Sequence, residues 1–214
     1  DLIKFTGVNP EKITVTLESA DELPKGNEPV DELIGKKFIM YIGRPTPHKN
    51  LRRLIDAFAL LQKKYPDLTL ALAGKKDSNY ARHETYVNEH GIKNVVFTGF
   101  ISDEQLRWMY ENTAVYCFPS LSEGFGLPGL EAMLHGAPVA SSTATCLPET
   151  HGDAAHYFDP FSVEDIAKSI DDILSDDKLR NELVKKGKKH VKTFSWQHMA
   201  EQTLAVYEKY GRKS

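Results

Sequence analysis

The chain of 214 residues is 41% hydrophobic and 27% charged, which is typical of a globular protein large enough to enclose a sizeable core. Its formal net charge of −3 offers no general attraction for a phosphate backbone, so we expect no nucleic-acid partner. It carries neither an apolar run of membrane-spanning length nor a signal peptide, and its two cysteines fit a reducing compartment, so the predicted location is cytoplasmic.

The first segment of the chain has the pattern of a helix end over residues 1–13, and the sequence starts at Asp1 rather than at a methionine. We therefore expect a piece of a longer protein. Residues 1–36 are assigned to a linker that leads into the main domain.

From residue 37 onward, short apolar runs that predict strands alternate with amphipathic stretches that predict helices. The predicted strands are 37–43, 68–74, 94–100, 114–120 and 137–142. The predicted helices among and after them are 50–66 (with Asn50 as N-cap), 80–91, 102–113 (with a capping box from Ser102 to Gln105), a helix entered near Pro128 and closed by Gly136, 162–176, 177–194 and 195–211. This alternation predicts an α/β fold, a Rossmann-like open parallel sheet with helices on both faces, ending in helices.

Ligands of open parallel sheets bind beyond the carboxyl ends of the strands, so the loops that follow the strands are the candidate site. In the loop 43–50, GRPTPHKN, Gly43 leaves the strand, and Arg44 and Lys49 flank the start of a helix. Two cations at such a position can clamp a diphosphate. The alternative is two surface cations near a turn. In a second loop, 98–102, Phe100 and Ile101 suit the face of a nucleobase but also suit an ordinary core.

The third loop, 119–127, leads into the stretch SEGFGLPGLEAM (122–133), which combines two glutamates with three glycines and a proline. Amides near Gly126 and Leu127 would point out of a helix start, and such an end binds anions, phosphate above all. Glu123 and Glu131 can face one ligand from different sides. The pattern indicates a polyhydroxylated, phosphorylated ligand, although a plain strand–turn–helix junction with two solvated glutamates would have a similar sequence.

Several stretches together resemble a known family: 43–58, 68–75, 94–110, 119–142 and 147–160. They resemble the C-terminal domain of a retaining glycosyltransferase of the GT-B fold, glycosyltransferase family 4. That family includes bacterial mannosyltransferases and glucosyltransferases of lipopolysaccharide and cell-wall assembly. The pair of glutamates within the context EGFGLPxLEAM is the most specific part of the resemblance.

The resemblance implies a role for individual residues. Arg44 and Lys49 match the basic pair on the donor diphosphate, Glu123 matches the residue that contacts hydroxyls of the donor sugar, and Glu131 matches the carboxylate that binds the ribose. The catalytic residues it implies are Glu123, Arg44 and Lys49, and the donor-binding residues are Gly43, Arg44, Lys49, Phe100, Ile101, Glu123, Gly124, Phe125, Gly126, Leu127 and Glu131. Because the cations can neutralise the leaving group, no metal and no cofactor beyond the nucleotide sugar is expected.

The implied function is transfer of a hexose, mannose from GDP-mannose, to a saccharide or lipid-linked acceptor. A glucosyltransferase that uses a UDP-sugar has the same core motifs, and a non-catalytic nucleotide-sugar binding module is a further alternative. A sugar-nucleotide epimerase shares the layout, but the EGFGLPxLEAM context argues against it.

The resemblance also implies a domain organisation. Residues 1–36 extend from an absent N-terminal acceptor domain, 37–194 form the donor-binding domain, and 195–214 form a helix that crosses back with apolar side chains lacking a partner. The isolated fragment is expected to be inactive, and the full-length protein is expected to lie at the inner membrane face. Residues 16–26 depart from the family pattern.

The eight histidines are assigned no role, and Cys117 is assigned to the core.

Overall fold

The computed structural model describes residues 2–26 and 28–211; Asp1, Asn27 and 212–214, which the domain predictions include, lie outside the described residues. One sheet of six strands is formed by β1 Phe38–Ile42, β2 Thr69–Ala73, β3 Val95–Gly99, β4 Val115–Phe118, β5 Val139–Ser142 and β6 Ala155–Phe158. The strand order is β3-β2-β1-β4-β5-β6, and every neighbouring pair is parallel.

The helices of the described residues are α1 Leu2–Thr6, α2 Leu51–Leu61, α3 Ser78–Glu89, α4 Asp103–Asn112, α5 Leu127–Leu134, α6 Leu147–His151, α7 Val163–Ser175, α8 Asp177–His190 and α9 Trp196–Tyr210. Short 3-10 turns occupy Pro10–Lys12, Asp31–Leu33, Pro47–Lys49, Gly152–Ala154 and Val191–Thr193. The capping box predicted for α4 is confirmed, because the Ser102 hydroxyl and the Gln105 side chain bond reciprocally to each other's backbone.

The sheet separates two apolar cores, as alternation along its strands requires. On β1, Ile39 and Tyr41 pack with α2 and α7 on one face, whereas Phe38 and Met40 pack with α4 and α5 on the other. The central strands β1, β2 and β4 are therefore buried on both faces, which explains why their sequences are nearly continuous apolar runs. The predicted fold class, a Rossmann-like parallel sheet covered on both sides and ending in helices, is confirmed.

Strand β6 is absent from the sequence-based prediction, which has five strands. The segment Ala155–Phe158 is only four residues long, and its two middle residues are partly exposed. It is added to β5 in parallel register, with Ala155 opposite Val139 and Phe158 opposite Ser142. A run so short and so weakly apolar has no distinct local signal, and its state is decided by the free edge of β5.

Asn50 occupies the predicted N-cap position of helix α2, but its side chain does not cap the helix. Asn50 has φ 59° and its side chain makes no cap bond to helix α2, which begins at Leu51. The buried amide donates instead to the carbonyl oxygens of Pro119 at 3.0 Å and Pro160 at 2.8 Å. Asn50 therefore joins three connections at the carboxyl end of the sheet, a role that overrides its local capping preference.

The two ends of the chain differ from its centre in exposure. Val30 and Leu33 are buried in the core that contains α4, so part of the linker packs on the domain. Helix α9 buries no residue, and Leu204 and Tyr207 are more than half exposed, which is the exposure that the sequence predicts. Among the described residues, no helix has both the length and the apolar character required to cross a bilayer.

Candidate functional site

The strand order creates a switch point between β1 and β4, where the chain continues toward opposite edges of the sheet. The loops that leave these two strands are fastened side by side. The amide of Leu121 donates to the carbonyl of His48 at 2.7 Å, and the Asn50 side chain reaches Pro119. Two of the three loops that the sequence selects therefore form one wall of a cleft.

Lys49 and Glu123, one from each of these loops, form an ion pair. Lys49 Nζ lies 2.6 Å from Glu123 Oε1, and the two side chains are only 20% and 12% exposed. The amine also lies 5.9 Å from the centre of the Phe118 ring. Because water screens this pair only partly, the two charges hold each other in place where the two loops meet.

The backbone of Glu123 is held by the segment that follows β5. Its amide donates to Thr145 Oγ1 at 3.1 Å, and the Thr145 hydroxyl lies 3.3 Å from the Glu123 carbonyl. The same carbonyl accepts from Cys146 Sγ at 3.3 Å. Thr145 adopts φ 50°, which is an outlier for a β-branched residue. Such strain is found at positions that surrounding structure over-determines, and here it fixes the Glu123 loop.

The loop enters α5 through Gly126, whose φ of 104° favours glycine. Within the described residues, the amides of Gly124, Phe125, Gly126 and Leu127 donate to no backbone or side-chain acceptor. Several free amides at a helix start, with the positive end of the helix dipole behind them, attract an anion. The geometry thus agrees with the anion-binding loop that the sequence indicates.

Glu131 lies in the second turn of α5, beside the buried Tyr110. The Tyr110 hydroxyl donates to Glu131 Oε2 at 3.2 Å and also lies 3.3 Å from the Pro128 carbonyl. Burial raises the pKa of the Glu131 carboxyl; the Tyr110 hydrogen bond opposes this, while the charges of Asp103 and Asp21 add to it. Within residues 2–26 and 28–211, no cation forms an ion pair with Glu131. A partly buried carboxylate of this kind is suited to accept hydrogen bonds from the hydroxyl groups of a ligand.

Arg44 does not lie in the same ion pair as Lys49. Its side chain is 78% exposed, and its Nε lies 3.6 Å from Asp77 Oδ2. Together with Gly43, Phe100 and Ile101 it lines a pocket of about 580 Å³ at the ends of β1, β2 and β3. The predicted basic pair is therefore divided between two parts of the cleft, and Phe100, at 85% exposure, is a free aromatic face at its rim.

A neighbouring pocket of about 650 Å³ lies on the other side of the Glu123 loop. Residues 15–18 of the linker line it together with Gly124, Phe125 and Cys146. The segment that departs from the family pattern thus borders the cleft. Across residues 2–26 and 28–211, no group of three or more His, Cys, Asp or Glu side chains is placed to share a metal ion, and the prediction that no metal is needed stays a prediction.

The sequence-based prediction omits several residues that the structure brings to this site, among them Tyr110, Thr145 and His151. His151 is completely buried at the end of α6, and its ring nitrogens face the Gly126 carbonyl and the Ser141 hydroxyl, each at 3.2 Å. The only local signal is indirect. Gly129 stands inside a helix, where glycine costs stability, and its neighbour is the His151 ring.

Comparison with known proteins identifies the family. Residues 26–190 match the family model for glycosyl transferases group 1. The chain is 35% identical over 182 residues to O-antigen chain mannosyltransferase B of Escherichia coli, covering 83% of this chain and 47% of that protein. It is 33% identical over 214 residues to the MMP alpha-(1->4)-mannosyltransferase of Mycolicibacterium hassiacum, covering 98% of this chain and 51% of that protein. The chain therefore spans about half the length of these relatives.

Solved structures agree with the sequence comparison. Sucrose-phosphate synthase from Thermosynechococcus elongatus superposes with a TM-score of 0.76 at 27% identity, covering 89% of this chain and 51% of that one. The C-terminal domain of a glycosyl transferase group 1 family protein from Francisella tularensis gives a TM-score of 0.67 at 28% identity, covering 83% of this chain and 95% of that domain. The chain thus belongs to the glycosyl transferases group 1 family.

Proposed function

We propose that this chain is the donor-binding, C-terminal domain of a retaining glycosyltransferase of family 4, and that it moves a hexose from a nucleotide sugar. The observation that carries the proposal is the meeting of Lys49 and Glu123 at the switch point, 2.6 Å apart, beside the start of α5. A cation, a carboxylate and a row of free amides are the groups required by a phosphorylated sugar.

The donor is proposed to lie along the carboxyl edge of β1 and β4. Its diphosphate accepts hydrogen bonds from the backbone amides of the loop that ends at Leu127. Lys49 lies on one side of the diphosphate, and Arg44 leaves Asp77 to bind it from the other side. Glu131 accepts the ribose hydroxyls. The base lies in the pocket of about 580 Å³ against Phe100 and Ile101.

The chemistry follows from these positions. When the bond between the sugar C1 and the phosphate oxygen breaks, the diphosphate leaves with the electron pair and its negative charge grows. The oxygen of an acceptor hydroxyl bonds to C1, and the proton of that hydroxyl passes to the departing phosphate. Lys49, Arg44 and the α5 amides are fixed near that charge before the reaction, so they stabilise it without reorganisation. One well-placed donor of this kind contributes about 3–4 kcal/mol in measured oxyanion sites. Glu123 accepts hydroxyls of the sugar and orients it.

The proposed donor is GDP-mannose. This choice is supported by the two curated relatives, both of which are named mannosyltransferases and align over most of this chain. A UDP-sugar remains the alternative that the same test separates, because the residues around the diphosphate would be shared. No cofactor beyond the donor, and no metal, is proposed.

The proposed partner is an N-terminal acceptor domain of the same full-length protein. The curated relatives are about twice as long as this chain, and the Francisella tularensis domain that superposes over 95% of its length is a C-terminal domain. In this arrangement 1–36 is the connection, 37–194 the donor-binding domain and 195–214 the returning helix. The acceptor, a saccharide or lipid-linked saccharide, binds the other half at the inner membrane face, and this half alone does not turn over.

Calorimetric titration of this chain with GDP, UDP and ADP tests the proposal, followed by the matching nucleosides and nucleotide sugars. We expect saturable binding of GDP, binding of guanosine at least tenfold weaker, and a further gain with GDP-mannose. Selective binding of UDP would assign the alternative donor. Failure of all three diphosphates to bind would contradict the donor-site assignment.

A further inference from the structure

His151 and its neighbours lie beneath the loop that forms the proposed donor site. The imidazole is 0% exposed and lies between the loop that enters α5 and strand β5. Nε2 is 3.2 Å from the carbonyl oxygen of Gly126, and Nδ1 is 3.2 Å from Ser141 Oγ. Its ring centre lies 5.8 Å from that of Phe118, the same ring that Lys49 overlies from the cleft.

The partners determine which ring nitrogen carries the proton. A carbonyl oxygen only accepts, so Nε2 carries the hydrogen and donates it to Gly126. In the neutral ring, Nδ1 is then an acceptor. The Ser141 hydroxyl lies 3.2 Å from Nδ1 and 3.3 Å from the carbonyl oxygen of Ser142, and its one hydrogen serves Nδ1 when it is directed to the ring. The imidazole therefore links the backbone of the Glu123 loop to the central sheet through two directed bonds.

The local sequence makes room for this ring. A Cβ on Gly129 would overlap the His151 imidazole, and a Cβ on Gly126 would lie 3.2 Å from Nε2 and 2.7 Å from Leu147. In contrast, a Cβ on Gly124 would meet no atom within 4 Å. Gly129 is thus explained by the ring beneath the loop, and Gly126 by its positive φ together with the closeness of Leu147 and the ring.

The groups around the ring keep it uncharged near neutral pH. Together these groups lower the pKa of His151 to about 4: burial is the main cause and the charge of His190 on α8 adds to it, whereas the Gly126 bond and the charge of Glu123 oppose it. Ser141 on β5 and Phe118 on β4 present no charge. An uncharged ring at this depth retains the Nε2–H tautomer that Gly126 requires.

We propose that His151 is a positioning residue: by holding the Gly126 carbonyl from below, it fixes the free amides of Gly124–Leu127 in the orientation that receives the donor diphosphate. This inference rests on the proposed donor site. The imidazole touches no ligand, so its effect reaches the donor only through the loop backbone. Loss of the Nε2 donor would leave the buried Gly126 carbonyl with the Gly129 amide, 3.0 Å away in the first turn of α5, as its remaining partner. The loop would then lose its tie to the ring beneath it.

The test compares three variants by calorimetry with GDP and UDP and with guanosine and uridine. His151→Leu keeps the volume but removes the donor; we expect the Kd for the bound diphosphate to rise about tenfold and nucleoside affinity to stay within twofold. His151→Gln places an amide N–H near the Nε2 position and restores diphosphate affinity. His151→Asn is the matched control, because its shorter amide does not reach Gly126, and it behaves like the leucine variant.

The outcomes separate this inference from the proposed function. If the wild type binds no diphosphate, both fail. If the wild type binds and a folded His151→Leu binds equally well, or if Gln and Asn behave alike, or if nucleoside affinity falls with diphosphate affinity, the positioning role alone is overturned. The ¹⁵N shifts of the wild-type ring need no variant, and a hydrogen on Nδ1 instead of Nε2 would also overturn it.

Discussion

The amine of Lys49 and the carboxylate of Glu123 lie 2.6 Å apart although 74 positions separate them in the chain. In the proposed donor complex these groups have different partners, the diphosphate and the sugar. Before the donor binds, each neutralises the other in a site where both are largely shielded from water. The pair therefore stabilises two loops that would otherwise each carry a poorly hydrated charge.

The first prediction concerns the energy of this pair. Lys49→Met and Glu123→Gln should each destabilise the fold because each leaves one partly buried charge unpaired. In a double-mutant cycle followed by urea denaturation, the two changes should couple by about 1–2 kcal/mol. Additivity within about 0.5 kcal/mol would mean that the pair contributes nothing to the fold.

The second prediction concerns Arg44. Its side chain is exposed and its carboxylate partner, Asp77, lies 3.6 Å away, so Arg44→Ala should leave stability within about 0.5 kcal/mol of the wild type. Affinity for the nucleoside diphosphate should fall about tenfold, or about 1.4 kcal/mol, while nucleoside affinity stays the same. Arg180→Ala removes the same charge on helix α8 and serves as the control. Equal losses of diphosphate affinity in the two variants would mean that the effect comes from the change in net charge and not from the position of Arg44.

The third prediction concerns the stability cost of Glu131. Because burial raises the pKa of this carboxyl, the folded protein retains a proton that the unfolded chain has lost just above the usual value of 4.5. The free energy of unfolding therefore decreases as pH rises through that interval. Glu131→Gln should be more stable than the wild type at pH 7 and should lose this advantage near pH 4, as measured by urea denaturation.

The same variant should bind nucleoside and nucleoside diphosphate more weakly, since the ribose would lose a charged acceptor. Glu89→Gln, an exposed carboxyl at the end of α3, is the control and should alter stability by less than about 0.5 kcal/mol. A Glu131→Gln variant that is less stable at pH 7 and binds nucleosides normally would remove Glu131 from the site.

The fourth prediction concerns pH and His151. The pKa of this ring falls from its usual 6.5 to about 4 in the folded protein, mainly through burial. Below pH 6.5 the unfolded chain therefore binds a proton at this ring that the folded protein does not bind. The free energy of unfolding decreases as pH falls toward 4. The slope attributable to this ring is at most about 1.4 kcal/mol per pH unit.

The free energy of unfolding, measured by urea denaturation between pH 7 and pH 4, should therefore change less with pH for His151→Gln than for the wild type. His198→Gln, which changes an exposed ring on α9, should retain the wild-type slope. Parallel curves for the wild type and His151→Gln would show that the ring is already charged, or freely hydrated, in the folded protein.

The fifth prediction concerns Gly129. Replacement of a helical glycine by alanine ordinarily stabilises a helix by up to about 1 kcal/mol. Here the new Cβ would overlap the His151 imidazole, so Gly129→Ala should destabilise by about 1–3 kcal/mol. The measurement is the urea midpoint with an unchanged m-value. Adding His151→Val to Gly129→Ala should cost less than His151→Val alone, because the smaller side chain accommodates the methyl group.

The sequence by itself determined the α/β class, five of the six strands, the loops that carry Arg44, Lys49 and Glu123, and the helix that carries Glu131. Each of these rests on a local pattern: a short apolar run, a helical period, or cations and glycines beside a helix start. Such features can be predicted from the sequence because residues close together in the chain produce them.

Only the tertiary structure decided which of these local features meet. Strand order placed Lys49 against Glu123, where the sequence had assigned them separate ligand groups, and placed Arg44 beside Asp77 instead. It also turned the Asn50 side chain toward Pro119 and set His151 beneath Gly126. Charge pairing and burial depend on distances across the sheet, and those distances are set by which strands pair with each other.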